Sequence, residues 1–437
     1  LRNLKALYKK IIPLAVRDQV YAFRLFLGGN KELKLIKSQQ EQNRLLEEKI
    51  AGKAKIKVAF FVVFSAVWKF DELYKLLVAS ERFEPVIFIC PYLIYGQEKM
   101  LEEMNIASKK LQEKGYHVVN TYNAKNDSWL DIKQEFKPDI VFFTNPYRYV
   151  TKDDYYITNF SDVLTCYVPY SCAVCSLQKS QYDQLFHNLL WRFFVETPIN
   201  LEFSKTFSRI KGINTRVSGY PSLDVFLNKN YQPTDVWKIK DAQVKRVIWA
   251  PHHTIDNREE LDFSTFLFYH EFMLKIATEL EGKIQLAFKP HPILKAKLYD
   301  LEGWGKERTD NYYTMWEELP NGQLELGEYT DLFYTSDFMV FDSISFIMEY
   351  LYLQKPGIFT LKSPHVPKKL NKLGELCLGN YYKVNNKEEL RASILQLLAG
   401  EDPLFQTRKT FFKEYLNPPN NGTATENIFH ELIKTVK

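Results

Sequence analysis

Cysteine is scarce in this chain. Five in 437 residues, Cys90, Cys166, Cys172, Cys175 and Cys377, exclude a disulfide scaffold. Glycine (17) and proline (19) are at ordinary levels, so collagen-like and low-complexity classes fall away. The longest apolar run, around Val58–Trp68, is far short of the ~20 residues of a membrane-spanning helix. The body of the chain also lacks a basic field. The net charge is +5, but residues 1–60 carry +9, which leaves −4 for the rest. Nucleic-acid binding by that body is therefore disfavoured. No Gly-x-Gly-x-x-Gly follows the first strand-like run and no Walker A segment occurs, so NAD and P-loop chemistry are not expected. No Asp-x-Asp pair stands in a catalytic loop, since Asp153 and Asp154 are simply adjacent. Metal-chelated sugar transfer is disfavoured on that ground.

What remains is a globular composition, 46% apolar and 25% charged, with aromatics at 15%. The length suits two domains of ~150–200 residues. Basic and apolar residues mix in Leu1–Leu27, where Lys5, Lys9, Lys10, Arg17 and Arg24 interrupt Leu, Ile, Val, Phe and Tyr. Such a segment can lie on an anionic membrane surface or pack on its own domain with a solvated basic face, and the two are not exclusive. Lys31–Ala51 reads as a polar helix with sparse apolar positions, a linker or a short coiled coil. No signal-peptide pattern is evident, so a cytoplasmic protein is expected, peripheral at the inner face of the membrane.

From Lys55 the pattern changes. Lys57–Phe64, Phe83–Cys90, Pro138–Thr144 and Asp162–Pro169 are apolar runs of strand length, separated by helical spacings such as Glu98–Lys114. After the polar, proline-bearing stretch Asn228–Lys240 the alternation restarts with Val244–Ala250, Ile284–Lys289, Phe338–Phe341 and Gly357–Thr360. Ser264 is the expected N-cap of a long helix. This predicts an α/β protein of two doubly wound, Rossmann-like domains facing a cleft. The expected division is a helical extension over 1–54, an acceptor domain over 55–235, a nucleotide-binding domain over 236–405, and helices over 406–437 that cross back. Ligands in such sheets bind beyond the carboxyl ends of strands.

Three loops there carry chemistry. Ala250-Pro251-His252-His253-Thr254-Ile255-Asp256 places two of the eight histidines side by side. Lys289-Pro290-His291-Pro292 holds a histidine in stiff, extended backbone. Phe341-Asp342-Ser343-Ile344-Ser345 leads into a helix that Asp342 or Ser343 would cap, offering amides and hydroxyls to an anion. Imidazoles, Lys289, Ser343 and Ser345 together suit a phosphorylated substrate. Glu349, further into that helix, would orient a ligand or sit as an ordinary helix glutamate. Cys172-Ala-Val-Cys175, with Cys166, is half a zinc site without its second pair, so no metal is assigned and buried thiols are expected. Ser218-Gly219-Tyr220-Pro221-Ser222 is read as a turn before the linker, where Gly219 serves the backbone.

The order Ala-Pro, Lys-Pro-His-Pro, Tyr-Thr-Asp-Leu-Phe-Tyr-Thr-Ser-Asp-Phe-Met-Val-Phe-Asp-Ser-Ile-Ser-Phe and Leu-Gln-Lys-Pro-Gly-Ile-Phe resembles the CDP-glycerol glycerophosphotransferase family of teichoic-acid and capsule synthesis. The resemblance is specific over 247–360, loose over 55–235 and absent over 1–50. It implies a GT-B fold and transfer of a glycerol or ribitol phosphate from a CDP-activated donor to a hydroxyl of a glycan or lipid-linked acceptor, with CMP leaving. It implies that His291, Asp342, Ser343 and Ser345 hold the donor diphosphate, with Lys289 and Glu349 beside them and Asp331 and Asp337 packed nearby. The family's usual N-terminal Trp-His-Gly-Thr-Pro-type segment has its counterpart at Tyr167-Val168-Pro169-Tyr170-Ser171, which has no histidine. His252 or His253 is the replacement base, with Tyr170 and Ser171 on the acceptor side. No cofactor beyond the nucleotide-activated donor is expected. Oligomeric state is left open. A GT-B glycosyltransferase using a sugar nucleotide is the alternative.

Overall fold

The computed structural model of the protein describes the backbone of residues 14–256 and 262–436, with side chains described from Lys31 onward outside the same gap. Residues 1–27, expected at a membrane surface, lie outside the described side chains. No helix among the described residues is long and apolar enough to cross a membrane.

The apolar runs form strands, as their uninterrupted hydrophobicity dictates. The first sheet has seven parallel strands in the order β3-β2-β1-β6-β7-β8-β9. They are β1 (Ile56–Val62), β2 (Phe83–Ile89), β3 (Val118–Asn120), β6 (Ile140–Phe143), β7 (Leu164–Tyr167), β8 (Arg192–Val195) and β9 (Thr215–Val217). The short pair β4 (Tyr122–Asn123) and β5 (Ser128–Trp129) stands apart. The second sheet, also parallel, runs β12-β11-β10-β13-β14-β15. Its strands are β10 (Lys245–Ala250), β11 (Ile284–Phe288), β12 (Gly322–Leu324), β13 (Phe338–Phe341), β14 (Gly357–Thr360) and β15 (Tyr382–Val384). In each sheet the strand order reverses beside its first strand, between β1 and β6 and between β10 and β13. A crevice opens at such a reversal, beyond the carboxyl ends. The short strands β8, β9, β12 and β15 have no counterpart in the sequence reading, because Arg192, Arg216, Gln323 and Lys383 break their apolar runs.

One apolar core crosses from sheet to sheet. Val58, Phe60 and Phe142 of the first belong to the same cluster as Ile248, Phe341 and Phe359 of the second. The segments 173–176 and 369–371 lock the junction. Ser176 N–H and Oγ donate to the carbonyls of Lys369 and Leu370, at 2.9 and 2.7 Å. Asn371 Nδ2 donates back to Ala173 and Cys175 carbonyls. The C-terminal helix Ala424–Thr435 lies against the first sheet's side, where Glu431 pairs with Arg192 and Arg216. Gly219 sits at φ 89° in that contact, and a Cβ there would stand 3.0 Å from Ala424 and Pro418.

The helix Leu14–Ala51 corrects the expectation of a linker or coiled coil at 31–51. Its buried positions Ile36, Gln39, Asn43, Leu46 and Ile50 recur at helical spacing. Two of the five are amides, so hydropathy understated the stripe. Gln39 donates to the Ser161 carbonyl, and Glu32 and Glu47 pair with Arg209 and Arg192. The helix is a fitted part of the first unit.

Candidate functional site

The three loops singled out in the second half meet at one place. Lys289 N–H pairs with Trp249 carbonyl at 2.8 Å and His291 N–H with Pro251 carbonyl at 3.1 Å, so the loop after β11 is sewn to the loop after β10. Asp342, the first residue after β13, reaches across the strand reversal. Its carboxylate accepts the N–H of His252 at 2.5 Å, and the N–H and hydroxyl of Thr265 at 2.5 and 2.6 Å. It is 1% exposed. Burial raises its pKa to about 6, against the pull of the Thr265 and His252 donors.

This corrects the expected role of Asp342. It caps no helix of its own, and its oxygens accept three protein donors that tie the loop after β13 to the loop after β10. The expected cap of the next helix by Asp342 or Ser343 is also corrected. Phe346–Glu349 is a single turn running into a 3-10 turn over Tyr350–Leu353, and its N-cap Ser345 makes no capping bond. Ser343 is buried and Ser345 half-buried beside it. Ser264 precedes the helix Phe266–Glu279 by one more residue than expected. Its hydroxyl donates to His252 carbonyl at 2.7 Å.

Framed in this way, His252, His253 and His291 form a cluster. One ring nitrogen of each lies within 4.8 Å of the others. The ring centroids are 4.3 Å apart for His252–His253 and His253–His291, and 5.3 Å for His252–His291. The sequence brought two of these together and left the third 38 residues away. His252 is 4% exposed, while His253 and His291 are half-buried. Burial lowers all three pKa values, and for His252 and His291 the neighbouring imidazoles add to it. His252 falls to about 2 and His291 to about 3. His253 is lowered first by burial and then by Lys297, with Asp256 opposing. Neutral imidazoles are thus the resting state at neutral pH. Lys289 is 5% exposed, and its ammonium donates to Gly327 carbonyl at 2.9 Å. Burial lowers its pKa, which Glu325 and Glu328 resist.

Beside the Asp342–Thr265 clamp opens a cleft of about 350 Å³, lined by Ile255, Ser264, Thr265, Phe268, Lys362 and Asn385. A larger hollow of about 560 Å³, between 375–380 and 406–415, is lined by none of the residues that the sequence singled out. The smaller one is the relevant cleft, because Ile255 of the loop after β10 and Thr265, the partner of Asp342, line it.

Other expected residues stand elsewhere. Tyr170 and Ser171 are exposed at the end of β7, and Tyr170 Oη lies 3.2 Å from Tyr147 Oη. Glu349 turns to the domain junction, where it accepts from Tyr329 Oη at 2.8 Å. Burial raises its pKa to about 7. The junction holds two groups that the sequence reading missed, Lys69 after β1 and Glu196 after β8. Lys69 Nζ and one oxygen of Glu196 are buried without a hydrogen-bond partner. Burial brings both pKa values to about 7, the lysine from above and the glutamate from below. Nothing local marks either residue, and β8 itself was not read as a strand. All five cysteines are free and buried.

The family model for CDP-glycerol:poly(glycerophosphate) glycerophosphotransferase matches residues 194–365, which span the end of β8, all three loops and β14. No curated relative of the chain was found. Among solved structures, the UDP-GlcNAc 2-epimerase of Neisseria meningitidis bound to UDP-GlcNAc is similar over 87% of this chain and all of its own, at 15% identity and TM-score 0.53. The UDP-GlcNAc 2-epimerase of Methanocaldococcus jannaschii covers 87% of this chain and 99% of its own, at 14% identity and TM-score 0.53. A variant of the wall teichoic acid polymerase TagF with CDPG is similar over 95% of this chain and 98% of its own, at 13% identity and TM-score 0.53. At such identities the likeness is one of fold, two facing Rossmann-like units of GT-B type. With its three histidine-bearing and aspartate-bearing loops inside the matched segment, the chain is similar over residues 194–365 to the CDP-glycerol:poly(glycerophosphate) glycerophosphotransferase family.

Proposed function

We propose that this protein transfers a polyol phosphate from a CDP-activated donor to a hydroxyl of a growing cell-wall glycopolymer. The acceptor oxygen attacks the phosphorus that bears the polyol. The bond from that phosphorus to the bridging oxygen breaks, CMP leaves with the oxygen, and a phosphodiester forms. The hydroxyl proton passes to a ring nitrogen of His253, the half-buried imidazole with Asp256 on its own loop. His252 and His291 face the diphosphate, and Lys289, Ser343 and Ser345 stand behind them. Donors fixed before reaction stabilise the charge that builds on the phosphoryl oxygens. The nucleoside takes the 350 Å³ cleft, whose volume suits a ligand of that size. The acceptor enters past Tyr147, Tyr170 and Ser171. Residues 1–27 hold the enzyme against an anionic membrane, near a lipid-linked acceptor.

The observation that carries this reading is the gathering of three neutral imidazoles at a strand reversal, within the segment matched by the family. Phosphorus NMR with CDP-glycerol, CDP-ribitol and UDP-sugars, each with a membrane acceptor, tests it. CMP and a new phosphodiester signal are expected with one CDP-polyol. UDP release from a sugar nucleotide would move the protein to glycosyl transfer.

A further inference from the structure

Three clustered imidazoles suit a cation if they offer lone pairs and an anion if they offer N–H groups. Their other hydrogen bonds decide which. Thr254 Oγ1 accepts the backbone N–H of Phe263 at 3.0 Å and of Ser264 at 3.2 Å. Two accepted bonds use both of its lone pairs. Its proton is therefore left to donate, and His252 Nδ1 lies 3.0 Å away. A neutral His252 whose Nδ1 accepts carries its proton on Nε2. His291 reaches the same state by another route, because its Nδ1 accepts the backbone N–H of Ile293 at 3.2 Å. His253 differs from both, since its Nδ1 is buried with no partner.

A metal needs the reverse arrangement. A metal-bound imidazole donates its second N–H to an acceptor, which fixes the ring and raises its basicity. If Nε2 of His252 or His291 bound a metal, the proton would move to Nδ1. It would there face a hydroxyl with no lone pair to spare, or a backbone N–H. Both are donor-against-donor contacts.

We infer that Thr254 and the Ile293 amide lock His252 and His291 as neutral Nε2–H donors, so that the triple-histidine cluster is an anion site for phosphate oxygens and not a metal site. Thr254 is on this account a positioning residue. It acts through His252 and touches no substrate. The identity of the anion as a nucleotide diphosphate rests on the proposed transferase reading, but the tautomers do not.

Two-bond proton–nitrogen correlation NMR of histidine-labelled full-length protein tests this directly, with signals assigned by His252→Gln and His291→Gln. Nε2–H patterns are expected for both rings from pH 8 down to pH 5, and both shift on adding inorganic pyrophosphate. Thr254→Val is expected to give His252 a tautomer mixture and to weaken CDP binding about tenfold by calorimetry, the scale of one lost hydrogen bond to a charged ligand. Thr254→Ser restores both. Nδ1–H patterns in the wild type, or a one-to-one zinc complex lost in His291→Gln, would overturn the inference. Nε2–H patterns with pyrophosphate shifts but no CMP release from any CDP-polyol would uphold it and overturn the choice of donor.

Discussion

At the carboxyl edge of the first sheet, two buried charged groups keep atoms without hydrogen-bond partners. At that of the second sheet, nearly every buried polar group is matched. Lys69 and Glu196 are sealed into the domain junction with an unsatisfied ammonium and carboxylate oxygen. Asp342, His252, Thr254 and Thr265 instead form a closed set of donors and acceptors. Both edges follow parallel sheets with a strand reversal, so topology does not account for the difference. A matched set holds its groups in place before a ligand arrives, as catalysis by fixed dipoles requires. An unmatched set is costly when dry and gains from any ligand, water or motion that satisfies it.

The largest effect should fall on chemistry at the matched edge. His253→Ala is expected to lower the rate of CMP release by about 10²–10⁴-fold, the usual worth of a positioned general base. Single-turnover kinetics with saturating donor would measure it, and a loss seen only in KM would remove His253 from the role of base. Next comes the frame. Asp342→Ala leaves three buried donors unpaired and should cost about 3–5 kcal/mol in chemical denaturation, as breaking a buried polar set does. A cost below about 1 kcal/mol would show that the two edges are less different than the hydrogen bonds indicate.

The unmatched edge should respond with the opposite sign. Glu196 has a folded-state pKa near 7, raised by burial above its ordinary value of 4.5. Between these values the native state binds more protons than the unfolded state, so stability falls as pH rises from about 4.5 to 7. Lys69, lowered from 10.5 to about 7, does the reverse, and its contribution recovers stability above pH 7. Glu196→Gln should therefore raise stability near pH 7 by on the order of 2–3 kcal/mol and leave it little changed at pH 4. Denaturation curves across that range would show the decline flattened, and an unaltered pH profile would refute the assignment. The smallest effect is expected at the exposed rim. Tyr170→Phe removes one hydroxyl contact with Tyr147 and should raise the acceptor KM a few-fold with stability within about 0.5 kcal/mol of the wild type.

Much of this contrast was legible along the chain. Uninterrupted apolar runs marked β1, β2, β10 and β11, since strands buried on both faces carry no alternation. The prolines around His291 and the paired His252 and His253 marked post-strand loops that do converge. Legibility stopped where local signal did. Gln39 and Asn43 concealed the docked stripe of the first helix. Arg192 broke the apolar run of strand β8, and Glu196 went unseen with it. Asp342 was read as a helix cap because a polar residue before a helical run usually is one. Its actual partners, His252 and Thr265, lie 90 and 77 positions away.

By itself the sequence determined that two parallel α/β units would form and which loops would crown the second one. Alternation of apolar runs with helical spacing dictates this, because each strand and helix must bury its own hydrophobic face. The tertiary structure alone decided which polar groups meet and in what state. That depends on the pairing of β10 with β13, which sets Ala250 beside Phe341 and so brings Asp342 to the His252 amide. Burial at that contact then lowers the histidine pKa values, and Thr254 spends its lone pairs elsewhere. No local pattern encodes the desolvation or the hydrogen-bond count that fixes a proton on one nitrogen of a ring.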